Sequence, residues 1–421
     1  MAITRRQFVT RLGTLAAAMG LSQMDIARVA QAFGHVGAAS WTEKPKVLWV
    51  HGAECTGCST SLLSFFEDVR AEAVPGSGVT TAAALSIIAG GDLGPSPTHP
   101  FGHRTLETAG LNVDGDPYAA NIADVLIDFI DLQYHETVMA MGGDLAYTSL
   151  MNEIDDTESG AFVLVVEGSV QPVEKVGYWG ASGAAPWCSI AADGSADAHH
   201  ELSFDYVVEE LASNSRCAAV IAMGQCATFG GYPACQGPGL APSPRGKNQT
   251  GAMGVYDFLV YRQKAAVAEA KVFNVSGCPS NPWWFVLTAV LLLVKLSGGP
   301  DLTGRDSQKR MSAVYGNLLH SRYCPRYADY GMRRYATKPG QPGCLKNIGC
   351  KGISTRSLCG IHGWNSQHPG NALGTVAESA MLPMPTDAGK RIGTNCLTAG
   401  HPCMGCTEKG YPDSFVPYII R

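Results

Sequence analysis

The sequence predicts an α/β protein built on a parallel sheet with helices on both faces, followed by a loop-rich, cysteine-dense tail. Three observations carry that expectation. From Lys46 onward, short apolar runs alternate with segments of helical spacing, the pattern of strands joined by crossover helices. The alternation stops after Leu296, where Ser297, Gly298, Gly299 and Pro300 mark a boundary. Of the 14 cysteines, 11 stand in ligand-like positions, and seven of these crowd the last hundred residues.

The elements follow in order. VLWV at 47–50 reads as a buried strand, with a helix beginning near Ser59. A second strand is expected at 125–132, a third in FVLVVEG (162–168), a fourth in AAVIAMG (218–224) and a fifth in KVFNVSG (271–277). Segments 204–211 and 255–262 have the spacing of amphipathic helices. Residues 72–120, rich in Gly, Pro, Thr and Ala, interrupt the rhythm as an insertion. The chain divides into a lead-in at 1–43, a sheet domain at 44–296 and a C-terminal domain at 297–421, the last organised chiefly by bound metal.

Composition narrows the class. A chain of 421 residues can hold two cores, and 46% hydrophobic against 16% charged residues indicates a globular protein buried against something large. The net charge of −5 supplies no basic footprint for nucleic acid. The apolar run at 283–294 is too short to cross a bilayer. At the other end, Thr4, Arg5, Arg6, Gln7 and Phe8 precede a mild apolar stretch at 12–21 and the small-residue site Ala30-Gln31-Ala32. This pattern resembles a twin-arginine export signal, a route for already folded proteins, and implies a periplasmic location.

The cysteines carry the chemistry. Disulfide frameworks belong mainly to chains far smaller than this one. Zinc ribbons bring two CxxC pairs close together, whereas here the two lie more than three hundred residues apart. Soft thiolates beside Gly and Pro, with a histidine among them, suit iron–sulfur clusters. Cys55 and Cys58 follow the first strand, Cys226 the fourth and Cys278 the fifth. Loops at the carboxyl ends of parallel strands converge in one crevice, so four thiolates reach one place and form a 4Fe-4S site.

Here the likeness becomes specific. ECTGCS, VVEGSV, AMGQCATFGG, VSGCPSNPWW, GCLKNIGCKG and AGHPCMGC occur in the order seen in small subunits of nickel–iron hydrogenases, and the chain resembles that family from Lys46 to Asp413 outside the insertion. The resemblance implies a flavodoxin-like first domain and a proximal cluster facing the nickel–iron centre of a separate large subunit, with Glu54 at that contact. It implies a distal 4Fe-4S cluster on His320, Cys324, Cys344 and Cys350, although three residues separate His320 from Cys324 where the family usually has two. It also implies a medial cluster on Cys359, Cys403 and Cys406. Many members have a proline where this chain has Cys396, so a fourth thiolate is expected to give three 4Fe-4S clusters in all. Oxygen-tolerant relatives add two cysteines near the proximal cluster; the matching positions here are Gly57 and Gly231, and Cys235 has the wrong spacing. Cys217 is expected in the core, and Cys188 and Cys235 are given no chemistry.

The function implied is electron transfer from H2 oxidation at the large subunit, through the three clusters, to an external acceptor such as a cytochrome or a quinone-linked membrane subunit. The chain would work in a heterodimer or a dimer of heterodimers. Two alternatives share the frame: a subunit of a quinone-reducing energy-coupling complex, opposed by the C-terminal ligand set, and a hydrogen or redox sensor, opposed by the export signal.

Overall fold

The computed structural model describes residues 45–63, 130–158, 160–172, 187–192, 201–235, 250–296, 301–359, 395–415 and 417–419. The expected export signal and the expected insertion at 72–120 lie outside the described residues. Pro45–Leu63, Asp131–Thr288 and Thr303–Arg421 belong to one compact unit, which contains every cysteine.

Its centre is a five-stranded sheet of β1 (Lys46–His51), β2 (Asp131–His135), β3 (Phe162–Glu167), β6 (Cys217–Met223) and β7 (Val272–Val275), ordered β2-β1-β3-β6-β7. Every pairing is parallel. Between β3 and β6, β4 (Ser189–Ala192) and β5 (Glu201–Ser203) form a separate antiparallel pair. Counting only the strands of the large sheet, the order is the 2-1-3-4-5 of flavodoxin-like folds, in which ligands gather beyond the carboxyl ends of the strands. β3, FVLVVE, is buried at all six positions, as a parallel strand covered on both faces must be. Leu48, Val50, Leu164 and Val166 enter one core with Phe204, Val207 and Phe258. Trp49, between Leu48 and Val50, points to the other face and meets Phe285 at 5.1 Å.

The helices are α1 (Gly57–Leu63), α2 (Asp144–Ile154), α3 (Phe204–Ser213), α4 (Gly224–Phe229), α5 (Val255–Tyr261), α6 (Ala265–Lys271), α7 (Pro282–Leu296), α8 (Ser312–Tyr315) and α9 (Tyr327–Gly331). β2 differs from the expected 125–132. Its sequence is DLQYH, a polar edge strand paired only with β1, so no apolar run announces it. Among the described residues, no helix is long and apolar enough to cross a membrane.

Among its described residues the cysteine-rich tail has only short helical turns, and two buried arginines organise it. Arg310 donates to Asp306 Oδ2 at 2.9 Å, the Thr407 carbonyl at 2.8 Å and Glu408 Oε1 at 3.1 Å. Arg326 donates to the carbonyls of Leu397, Gln341 and Gly343 at 2.7, 2.8 and 2.6 Å, tying together loops that are distant in sequence. Gln225, at the start of α4, donates to the Glu408 carbonyl at 2.9 Å and so anchors the tail to the carboxyl end of β6. A guanidinium is suited to this work because its planar fork can satisfy several carbonyls at once.

Candidate iron–sulfur sites

The expected proximal thiols converge. Cys55 and Cys58 leave the β1–α1 turn, Cys226 lies in the first turn of α4 after β6, and Cys278 follows β7. Burial pushes the Cys226 thiol up to about 12, with the charges of Cys278 and Cys55 adding to it. Cys58 is raised well above the ordinary thiol range, by burial first, then by Glu167, Cys226 and Cys278. Cys278 is raised by burial and by Cys55. The backbone makes room for the sulfurs. Gly224 (φ +86°) would place a β-carbon 2.3 Å from Cys58 Sγ, and Gly231 (φ +53°) would place one 2.7 Å from Cys226 Sγ. At Gly57 the same atom would lie 3.0 Å from Cys55 Sγ. Gly57 and Gly231 therefore both border these thiols. Cys235 turns elsewhere, its thiol donating to Asp413 Oδ1 at 2.7 Å. Cys217 is a core residue, and Cys188 Sγ lies 3.9 Å from the His51 carbonyl.

The other ligand-like residues form two further groups. Burial raises Cys324 to about 12, with Cys350 and Cys344 adding to the shift, and raises Cys344 with Cys350 contributing. His320 packs edge-on against Tyr330 and Tyr327, ring centroids 4.4 and 5.3 Å away, and its buried Nε2 has no hydrogen-bond partner. Leu319–Tyr323 is a π-helical turn ending at Cys324. A π-turn takes up one residue more than an α-turn, which is how the chain accommodates the extra residue between His320 and Cys324.

Cys359, Cys396, Cys403 and Cys406 line a single cavity of about 380 Å³ together with Cys278 and Pro279. Cys406 is pushed well up by burial, then by Cys359, Cys403 and Cys396, with the Cys278 backbone amide opposing as hydrogen-bond donor. Cys403 is raised by burial and by Cys350. Its carbonyl accepts from the Lys351 amide at 2.8 Å. The three groups thus adjoin in series, through Cys278–Cys406 and then Cys350–Cys403.

This donor set fits iron–sulfur clusters. Crowded, buried thiols resist ionisation, and a cationic iron core removes that penalty by ligating the thiolates. All 14 cysteines are free of disulfide bonds.

A polar network beside the proximal thiols was not anticipated beyond Glu54. The Glu167 carboxylate, at the end of β3, accepts from Ser59 Oγ at 2.6 Å, from the Cys58 and Ser59 amides at 3.1 Å, and from Trp49 Nε1 at 3.3 Å. It thereby fixes the ECTGCS turn. His51 Nδ1 is 3.1 Å from Glu54 Oε1, while Glu54 Oε2 is buried without a partner. Burial lowers the His51 pKa, but the Glu54 hydrogen bond and the charges of Glu167, Glu136 and Glu54 outweigh it, and the net shift is upward. His135 Nδ1 accepts from the Thr137 amide at 3.2 Å, and its Nε2 is 3.3 Å from Ser59 Oγ. Because the Ser59 proton goes to Glu167, the Nε2–H form of neutral His135 satisfies both contacts. The only advance signal was an acidic residue closing an apolar strand in VVEGSV.

His135 and Glu136 titrate in opposite senses. Burial, aided by His51, lowers His135 from 6.5 to about 4. Burial raises Glu136 from 4.5 to about 7, with Glu54 and Glu167 adding to it and His51 opposing. Between pH 4 and 6.5 the unfolded chain holds the His135 proton and the folded one does not, so this group's contribution to stability rises with pH. Between pH 4.5 and 7 the folded chain holds the Glu136 proton and the unfolded one does not, so this contribution falls. The two oppose each other over pH 4.5–6.5. Relative to the parent, Glu136→Gln should make thermal stability climb more steeply across that window and His135→Gln less steeply. Melting curves of the holo-complex at stepped pH check both signs.

Comparison with known proteins finds relatives of the whole chain. Residues 116–292 match the family model described as NADH ubiquinone oxidoreductase, 20 kDa subunit. Residues 315–372 match the model for the C-terminal region of the NiFe/NiFeSe hydrogenase small subunit. The small subunit of the periplasmic [NiFeSe] hydrogenase of Desulfomicrobium baculatum is 27% identical over 422 aligned positions, covering 100% of this chain and 99% of the relative. The periplasmic [NiFe] hydrogenase small subunit 1 of Nitratidesulfovibrio vulgaris is 26% identical, with 99% and 93% covered. A solved structure of the D. baculatum [NiFeSe] hydrogenase superposes with a TM-score of 0.59 at 26% identity, over 90% of this chain and 99% of that one. The flavodoxin-like sheet and the grouped thiols at its strand ends are the features of an iron–sulfur subunit. Within that class, the chain is similar along its whole length to small subunits of nickel–iron and nickel–iron–selenium hydrogenases.

Proposed function

We propose that this chain transfers electrons from H2 oxidation, carried out at a partner large subunit, through three 4Fe-4S clusters to an external acceptor. The observation that carries the reading is the adjacency of the three ligand groups: Cys278 lines the same cavity as Cys406, and the Lys351 amide, next to Cys350, donates to the Cys403 carbonyl. Proximal ligands would be Cys55, Cys58, Cys226 and Cys278; medial ligands Cys359, Cys396, Cys403 and Cys406; distal ligands His320, Cys324, Cys344 and Cys350. When bound, such clusters supply reversible one-electron chemistry, and an imidazole ligand raises the potential of the cluster that carries it.

The chain's own residues define and shield the sites. Glu167 holds the turn bearing Cys58, and Arg326 clamps the loops around Cys324, Cys344 and Cys396. Cys55 is exposed, and we infer that this side is covered by the large subunit, with Glu54 at the contact. We further infer a division near 297, periplasmic placement after twin-arginine export, and a heterodimer as the working form.

The match to the 20 kDa subunit of NADH ubiquinone oxidoreductase favours a quinone-reducing complex as the second reading. That match ends at residue 292, before the distal and medial ligands. The heterodimer purified from cells expressing both subunits tests the proposal. About twelve irons with equal sulfide in this chain, a broad absorption near 400 nm, and H2-dependent dye reduction are expected. A colourless zinc protein without hydrogen activity would refute it.

A further inference from the structure

Around His320 the surface changes sign. The chain as a whole carries 31 Lys and Arg against 36 Asp and Glu. Residues 320–351 instead hold seven basic residues and one acidic residue, while 131–158 hold seven acidic residues and no Lys or Arg. Charge is segregated, and the basic excess lies on the segment carrying the distal ligands.

Of these cations, Lys346 is placed beside His320 through the Tyr330 ring. Tyr330 stacks edge-on to His320 at 4.4 Å, and the Lys346 ammonium lies 5.4 Å from the Tyr330 ring centroid. At the end of α9, the Arg333 amide donates to the Tyr330 carbonyl at 3.1 Å. The single acid, Asp329, is answered by Arg334 at 2.6 Å. Arg333, Lys338 and Lys346 are exposed, as are Tyr327 (49%) and Met332 (58%). A small aromatic and methionine surface among cations has the make-up of a docking face with an apolar centre and a charged rim.

We propose that this face docks a small acidic redox protein, which takes up electrons beside His320 and its two tyrosines. The proposal rests on the electron-transfer reading above and adds the chemistry of the acceptor. Each H2 oxidised at the large subunit yields two protons and two electrons, so two one-electron acceptors are reduced per H2. An anionic membrane would also be drawn to basic residues. However, the only α-helix in this stretch, α9, has five residues, too short for the amphipathic helix that lies in a lipid interface. Lys346 instead sits over the aromatic ring that packs against His320, with exposed Arg333 and Lys338 on the same segment.

The test uses the holo-heterodimer reduced with dithionite, with excess reductant removed, so that docking is measured independently of H2. Two haem acceptors of opposite charge are mixed with it in stopped flow: an acidic one of the cytochrome b5 type and a basic one of the cytochrome c type. The acidic acceptor should be reduced about tenfold more slowly in 500 mM than in 20 mM salt. At low salt, the double variant Arg333→Glu/Lys338→Glu should lower that rate by about tenfold. Reduction of the basic acceptor should stay unchanged or quicken in the variant. H2/D2 exchange, which needs no acceptor, should be the same in parent and variant; its absence from the parent would defeat the hydrogenase reading and leave the docking result standing. Docking is overturned if salt and the double variant leave the acidic acceptor unaffected, or if the basic acceptor is the one inhibited by both. It is also overturned if Arg333 and Lys338 govern binding to phosphatidylserine vesicles while the acidic acceptor's rate does not move.

Discussion

Gly224→Ala is expected to abolish the proximal site while leaving the sheet folded. Gly224 lies at the joint between β6 and α4 with φ +86°, and a β-carbon there would sit 2.3 Å from Cys58 Sγ, well inside contact distance. Relief cannot come from Cys58 turning freely, because its backbone amide is held by Glu167 and its sulfur accepts from the Ser280 amide at 3.3 Å. The positive φ alone would cost about 1 kcal/mol. Displacement of a ligand sulfur adds loss of metal to that. Iron should fall by about four per chain, and H2-dependent dye reduction by about a hundredfold or more, as expected when a reacting centre is misplaced. Gly340→Ala separates the two effects, since Gly340 has φ +79° and nothing within 4 Å of the added carbon. It should lose some stability but no iron. Full iron and activity in Gly224→Ala would show that Cys58 is not a ligand.

How much of this could be read from the sequence differs by element. β1, β3 and β6 were legible because parallel strands covered on both faces are written as unbroken apolar runs. β2 and the β4–β5 pair were not: DLQYH and ELS are short, polar pieces whose pairing depends on neighbours distant in sequence. The candidate thiol ligands could be singled out because soft sulfur beside Gly and Pro has few competing uses. The acids and histidines around them were harder to see. Glu167, His51, His135 and Glu136 stand at the ends of three different strands, and only the strand order β2-β1-β3 brings them together. Arg310 and Arg326 were equally hidden, since a buried arginine bonded to carbonyls has no sequence pattern. The tail was expected to be organised chiefly by metal; these side chains give it an internal frame as well.

That frame bears on Cys396, whose substitution should change the type of medial cluster rather than destroy the site. Asn395 Oδ1 accepts from the Leu397 and Thr398 amides at 2.9 and 3.2 Å, and its Nδ2 donates to the Cys359 carbonyl at 2.8 Å. This turn presents Cys396 to the cavity independently of its own sulfur, with Arg326 gripping the next residue's carbonyl. Cys396→Ala should therefore keep the loop and leave three thiolates, Cys359, Cys403 and Cys406, around the cavity. Three thiolates hold a 3Fe-4S core, so iron should fall by about one per chain. The oxidised variant should gain the paramagnetic resonance of a 3Fe-4S centre that the oxidised parent lacks. The medial potential should rise, because a 3Fe-4S centre is generally easier to reduce than a 4Fe-4S centre on four thiolates. If the untreated parent already shows that resonance in stoichiometric amount, Cys396 is a bystander in the cavity wall.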